Sequence, residues 1–392
     1  MINFITKRQF ALVVFFVPFV FKFSILPSIL SLTASRDIWI TMLIIMLIEL
    51  TQLAFIVKID SIGGLEELKK RYGKIVYYLL TVPLLAVMVL KGAVYLAETT
   101  SYSNSYLFYN ISTRGVSVVV VIIASYVAVK GAKGIGRMVE QIIWLIPIAL
   151  IIGLLFGKLK LTPSYILPIA VNGVTPIAKS LDKCLFWTLD FTPLLFLKIR
   201  NEKALPERKR SRFPWIPACA IGSLILMVAL YALYVMNYGG GSHLIDTAFS
   251  SLGAFNVVNT EIGSIDWPSI TLWLSIAVIS LALKIFGSGM VGNSIGIKFP
   301  VAVLIVGVII TTIAHFGFYN LERAVKFATG YVRYAIIAIE LLVPLIVLIL
   351  IERETVKKED ELFLSLKPLI AIYSDNTYTE RYLESFETLL VV

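Results

Sequence analysis

The chain has 392 residues, of which 58% are apolar and only 15% charged, well under the quarter or so of charged residues in an ordinary globular domain. That composition excludes a water-soluble fold and implies an all-α integral membrane protein. A net charge of +10 does not point to nucleic acid, because the basic residues gather in short connections between apolar runs, where the positive-inside effect accounts for them.

Lys7 and Arg8 precede an apolar run long enough to span a bilayer, with no small-residue cleavage site, so no cleavable signal peptide is expected. The stretch from Phe10 to Ile40 begins as a membrane helix, yet carries Pro18, Lys22, Ser24 and Pro27 at depths where an ordinary span is uninterrupted. Proline removes a backbone donor and clashes with the preceding turn, and a cation near mid-membrane costs at least a few kcal/mol. Lys22 lies about a dozen residues into the run, roughly 15 Å at helical rise, too deep for its ammonium to reach the headgroups easily. Irregular backbone persists at membrane depth only where protein or a polar cavity satisfies it, so this broken helix is the first candidate for a binding site.

Ten spans of about 20 residues are expected, at approximately 10–32, 37–57, 75–97, 114–130, 139–157, 180–198, 213–236, 268–286, 298–315 and 328–350. The connection Lys58 to Lys74 holds five basic and three acidic residues, and Lys198 to Arg212 seven and two. The segment Asn237 to Trp267 has no Lys or Arg. This asymmetry places both termini in the cytoplasm, although Lys158, Lys160 and Lys179 would then lie outside. Ten spans divide into five plus five, with the sixth starting on the face opposite the first, as an inverted-topology repeat requires. The sixth span, SLDKCLFWTLDFTPLLFLKIR, carries Thr188, Asp190, Thr192 and Pro193 near its middle. Two interrupted helices bearing opposite charges at equivalent positions predict a Lys22–Asp190 ion pair across a shared hollow.

Other polar residues in apolar runs are secondary candidates. Glu49 and Gln52 lie one turn apart on the second span, as pocket residues or as interhelical hydrogen-bonding groups. Lys91 and Glu98 lie two turns apart on the third, as outer-end structural contacts or pocket groups. Lys284 near the end of the eighth span fits an interfacial anchor, and Glu340 with Arg333 on the tenth fits a brace for the bundle. Gly131 to Arg137 lacks a preceding strand and the Gly-Lys-Ser/Thr ending of a phosphate cradle, and reads as a tight turn whose cations meet anionic headgroups. Pro163 to Lys179 is expected to be interfacial or re-entrant and to cap the pocket from outside, with a short surface helix within 237–266 beside it. The residues from Ile351 to Val392 form a separate tail, too small for a core of its own, that docks on the cytoplasmic face or on another chain. Neither histidine, His243 or His315, has a ligand partner in sequence, the two cysteines do not form a metal pattern, and no Ser/His/Asp arrangement occurs, so neither metal, cofactor nor enzyme activity is expected.

The first two spans, with Leu26, Pro27, Asp37 and Trp39, the GAKGIGRMVEQIIWLIP stretch from Gly131 to Pro147, and the segment from Pro163 to Pro193 resemble the spore germination permease-like family. Its members are the B-type subunits of nutrient germinant receptors, related to the amino acid/polyamine/organocation transporters. The resemblance implies a leucine-transporter type fold with a small-molecule pocket between the first, third, sixth and eighth spans. It also implies an amino-acid-like nutrient as ligand and partner receptor subunits in the spore inner membrane. Where related families carry a small Gly-rich break, this chain has Phe21, Lys22, Phe23 and Ser24. The expected ligand-binding residues are therefore Lys22, Phe23, Ser24, Thr188, Asp190 and Thr192, supported by Glu49, Gln52, Lys91, Glu98 and Lys284. The lysine obstructing the first helix favours sensing over alternating access. The alternatives are a proton-coupled permease for an amino acid or organic cation, and an ion-conducting pore component.

Overall fold

The computed structural model describes residues 4–22, 25–106, 113–145, 161–200, 214–239, 241, 267–318 and 320–373. The first apolar run is in three pieces. Helix α1 (Lys7–Phe16) starts on a reciprocal cap between Thr6 and Gln9 and stops short of Pro18. Helix α2 (Phe19–Lys22) is a single turn, and α3 (Leu26–Ala34) begins with Pro27 in its first turn, where a missing N–H costs nothing. Phe23 and Ser24, expected to bind ligand, lie outside the described residues.

Ser35, in the left-handed region at φ 51°, turns the chain into α4 (Ile38–Ser61). The connection after α4, expected as a loop, is helical from Gly64 and joins the third span as α5 (Gly64–Tyr106). Gly73 marks the join: its φ of 81° and ψ of −179° suit glycine almost alone. Helix α6 (Thr113–Val129) is followed by α7 (Gly131–Ile142), bent by 117° from it. The tight turn expected over Gly131 to Arg137 is thus confined to the entry at Gly131, whose φ is 76°. Ala132, Ile135, Gly136, Val139 and Ile142 give the rest a buried helical stripe.

The sixth expected span is not one helix. It consists of α8 (Val174–Cys184), a 3₁₀ turn at Leu185–Trp187, extended backbone at Thr188, and a second 3₁₀ turn at Thr192–Phe196. Then follow α9 (Trp215–Tyr238), α10 (Trp267–Ser294), α11 (Phe299–Thr312) with a π turn at Ile313–Gly317, α12 (Leu321–Ala328) and α13 (Val332–Tyr373). The described residues contain six helices long and apolar enough to cross a membrane, seven if the bent α6–α7 pair counts as one. Most of the expected span at 139–157 and of the segment 237–266 lies outside the described residues.

Helix α10 is the central post. Its most apolar window is 83% buried, against 33% to 61% for the other five long helices, and it packs on α5, α6 and α11. The outer helices instead expose Val118, Val119 and Ile122 on α6 and Leu304 and Val308 on α11, side chains that only a lipid solvent leaves uncosted. Phe4–Ile5 pairs in parallel with Lys198–Ile199, which ties the start of the chain to the end of the broken sixth segment. Residues 161–173 are mostly exposed and are held to the α3–α4 turn: Arg36 donates to Leu167 O at 2.7 Å, and Ala170 N donates to Asp37 Oδ1 at 3.2 Å.

Candidate functional site: a buried chain of alternating charges

Two prolines and a run of Phe and Lys leave the first helix without continuous backbone bonding around Lys22, and the ammonium at the end of α2 points into the bundle. Its Nζ lies 3.0 Å from Asp190 Oδ2 on the broken sixth segment, the contact expected from the sequence. It also lies 2.7 Å from Glu49 Oε1 on α4. Lys91 on α5 repeats the pattern, with Nζ 2.7 Å from Glu340 Oε2 on α13 and 3.5 Å from Asp190 Oδ1. The result is an unbranched series, Glu49–Lys22–Asp190–Lys91–Glu340, in which every member is at most 2% exposed.

Alternation is what makes such burial tolerable. Desolvating an ion costs several kcal/mol, and only an opposite charge at contact distance, together with hydrogen bonds, offsets it. Asp190 stands at the centre with an ammonium on each oxygen. The series alone carries three carboxylates and two ammoniums. Lys284 on α10 brings a third cation within electrostatic reach of Asp190, Lys91 and Glu340. Its own Nζ donates to Ser280 Oγ at 3.0 Å and sits 5.7 Å from the centre of the Tyr95 ring.

The broken backbones need partners too, since no water reaches them at this depth. Gln52 supplies one of them and links the breaks to α13: its Oε1 accepts from Phe191 N at 3.2 Å, and its Nε2 donates to Thr192 Oγ1 at 3.0 Å and Glu340 O at 3.2 Å. Lys91 donates to the carbonyl of Thr188, and Tyr231 OH donates to the carbonyl of Lys22 at 2.8 Å. Thr192 Oγ1 lies 3.0 Å from Glu340 Oε1. Leu189, directly before Asp190, is held at φ 61°, a left-handed conformation that costs a non-glycine residue roughly 1–2 kcal/mol. The packing around it therefore fixes where Asp190 points.

The structure thus brings Lys22, Glu49, Gln52, Lys91, Thr188, Asp190 and Thr192 into one cluster. Glu98 borders it, accepting from Trp187 Nε1 at 2.9 Å. Two readings from sequence need correction. Lys284 is not an interfacial anchor, because it is 2% exposed in the interior. Lys91 is not an outer-end contact but a central bridge. Glu340 and Arg333 both tie α13 to other elements, as a brace does: Arg333 meets Asp182 Oδ2 at 2.7 Å, and Glu340 meets Lys91 at 2.7 Å. The sequence reading makes Glu340 a brace and leaves it out of the pocket, although an acid eight residues into a 22-residue apolar span is signal enough.

The cluster is closed. A cavity of about 230 Å³ lies on the far side of the Thr192–Phe196 turn, walled by Ile56, Asp60, Tyr77, Leu194, Lys198 and Met290, and none of the five charges lines it. Each of the five charges lies within 3.0 Å of an opposite one, while the second carboxylate oxygen of Glu49, Oε2, has no hydrogen-bond partner among the described residues.

Residues 5–324 match the model of a protein family described as spore germination protein. No curated protein matches the chain.

Proposed function

The chain belongs to the spore germination protein family, and from that premise we propose that its charge series is the occluded binding site of a permease-like receptor subunit for a small zwitterionic nutrient such as an amino acid. The observation that carries the reading is the Lys22–Asp190 contact between two broken segments, 3.0 Å long and shut away from solvent. An amino acid brings one ammonium and one carboxylate. Its carboxylate takes the place of Asp190 on Lys22, and its ammonium the place of Lys22 on Asp190, so the buried charge balance is unchanged. A ligand with only one charge leaves an unpaired ion in the interior, which costs several kcal/mol. Thr188 and Thr192 then line the opened space, with Glu49, Gln52, Lys91, Glu98 and Lys284 holding its walls.

Opening moves the segments that carry Lys22 and Asp190, and with them Phe4–Ile5 and Lys198–Ile199, which pair at one end of the bundle. That end, with the charged tail after Glu352, is on this reading cytoplasmic and transmits occupancy to partner receptor subunits in the spore inner membrane. The chain binds and signals, with no reaction catalysed and no cofactor engaged. The five-plus-five repeat of ten spans belongs to the same proposal, supported by the matched positions of the two breaks.

The test compares small amino acids with their methyl esters, which keep only the ammonium, and their N-acetyl derivatives, which keep only the carboxylate. Thermal stabilisation of the detergent-solubilised chain by a parent amino acid and by neither derivative is the expected result; equal stabilisation by a derivative sinks the exchange. The second reading, a proton-coupled permease, is favoured by the buried carboxylates of Glu49 and Glu340, of the kind that relay protons in transporters. Concentrative uptake of labelled amino acid into proteoliposomes bearing this chain alone would establish it in place of sensing.

A further inference from the structure

At the face of the molecule where the chain begins, α1, α7 and the start of α9 enclose a groove of about 430 Å³, separate from the charge series. Its mouth is formed by Arg8, Glu140 and the indoles of Trp144 and Trp215, and its floor by Leu12 and Phe15, one and two turns further along α1. Arg8 is 58% exposed at the side chain and Trp144 is 71% exposed overall. Exposed tryptophans beside cations and above an apolar slot mark the depth at which headgroup meets acyl chain.

The charge along this side of α7 is one-sided. Glu140, the one carboxylate in the sequence of α7, is engaged at both oxygens: Arg8 Nε donates to Oε1 at 3.0 Å and Gln9 Nε2 to Oε2 at 3.0 Å. Its charge is therefore offset within the protein. Lys133 and Arg137, at i and i+4, lie on the same side of α7 as Glu140 at i+7, and both are exposed. The 117° bend after α6 turns α7 sharply away from the direction of α6.

We propose that this groove binds one phospholipid with an anionic headgroup, its phosphate against Lys133 and Arg137 and one acyl chain along Leu12 and Phe15 between the two indoles. The occupant follows from charge and shape together: two exposed cations about one and two turns along α7 from Glu140 select an anion beside the groove, and its apolar floor accepts a chain that a free phosphate lacks. Because Leu12 and Phe15 belong to the helix that leads to Lys22, the lipid braces the broken segment from behind.

Phosphatidylglycerol and phosphatidylcholine with brominated acyl chains test it in mixed micelles, through quenching of tryptophan fluorescence. Brominated phosphatidylglycerol is expected to quench a component that disappears in Trp144→Phe, at roughly a tenth of the concentration that brominated phosphatidylcholine needs. Lys133→Gln with Arg137→Gln is expected to raise the phosphatidylglycerol requirement about tenfold or more, towards that of phosphatidylcholine. Circular dichroism and the unaltered quenching by phosphatidylcholine serve as folding controls. Equal quenching by the two lipids, no quenching of the Trp144 component by either, or an unchanged requirement in the double variant overturns the site. Reversal of the quenching by millimolar glycerol phosphate identifies a site for free phosphate and overturns the lipid as occupant.

Discussion

Lys22 is the residue on which the interior turns, because among the described residues it alone joins Glu49 to Asp190. Lys22→Met strands the carboxylate of Glu49 and is expected to cost about 3–5 kcal/mol, measured as thermal or denaturant unfolding in detergent. Adding Glu49→Met removes the stranded charge and should recover a large part of that loss, whereas strictly additive losses would deny the pairing. The simple exchange Lys22→Asp with Asp190→Lys is expected not to rescue function. Glu49 would then face a carboxylate, and Lys91 an ammonium, so the series lacks the symmetry of an isolated pair. Gln52→Leu probes a different role, the satisfaction of broken backbone. It leaves Phe191 N–H without its acceptor and is expected to destabilise by about 1–3 kcal/mol with little change in the charge preference of any ligand.

At the scale of elements, interruptions matter more than helices. Gly73 joins two helical pieces of α5 in a conformation that other residues enter at a cost of about 1–3 kcal/mol, yet a Cβ there would touch nothing. Gly73→Ala should therefore lower the melting temperature through backbone strain alone. Gly115 in α6 is the contrasting case, since its φ is ordinary and a Cβ again meets nothing within 4 Å. Gly115→Ala is expected to be neutral or to stabilise by up to about 1 kcal/mol, by restricting the unfolded chain. If the two substitutions behave alike, the special geometry of Gly73 is wrong. Helix α13 shows the opposite tendency: the change of composition at Glu352 reads as a boundary in sequence, but the helix runs on to Tyr373.

Across the whole molecule, contacts far apart in sequence gather the basic connections at one end. Ile199 N donates to Asp60 Oδ1 at 3.3 Å, Arg200 N to Ile5 O at 2.8 Å, and Lys58 meets Glu352 at 3.4 Å. The start of the chain, the end of α4 and the end of the apolar part of α13 therefore share one face. In protoplasts, cysteines introduced by Lys7→Cys and Glu352→Cys are expected to react alike with a membrane-impermeant thiol reagent, and both to be protected if that face is cytoplasmic. Labelling of one without the other would contradict the arrangement. Cys184 is buried, and the partly exposed Cys219 is first replaced in Cys219→Ser so that it does not react.

Composition and the placing of charge in apolar runs determined that the chain is a helical membrane protein and pointed to the contact of Lys22 with Asp190. The reason is energetic: proline and charge are so costly in a lipid solvent that their positions in an apolar run are informative without coordinates. The tertiary structure decided who pairs with whom. Glu340 and Lys91 lie 249 positions apart, and nothing local distinguishes Arg333, which is nearer in sequence, from Lys91 as the partner; only the crossing of α13 over α5 does. It likewise turned Lys284 inward and made a helix of Gly131–Ile142, because burial of a side chain depends on which helix faces it and not on how deep in its own span it lies.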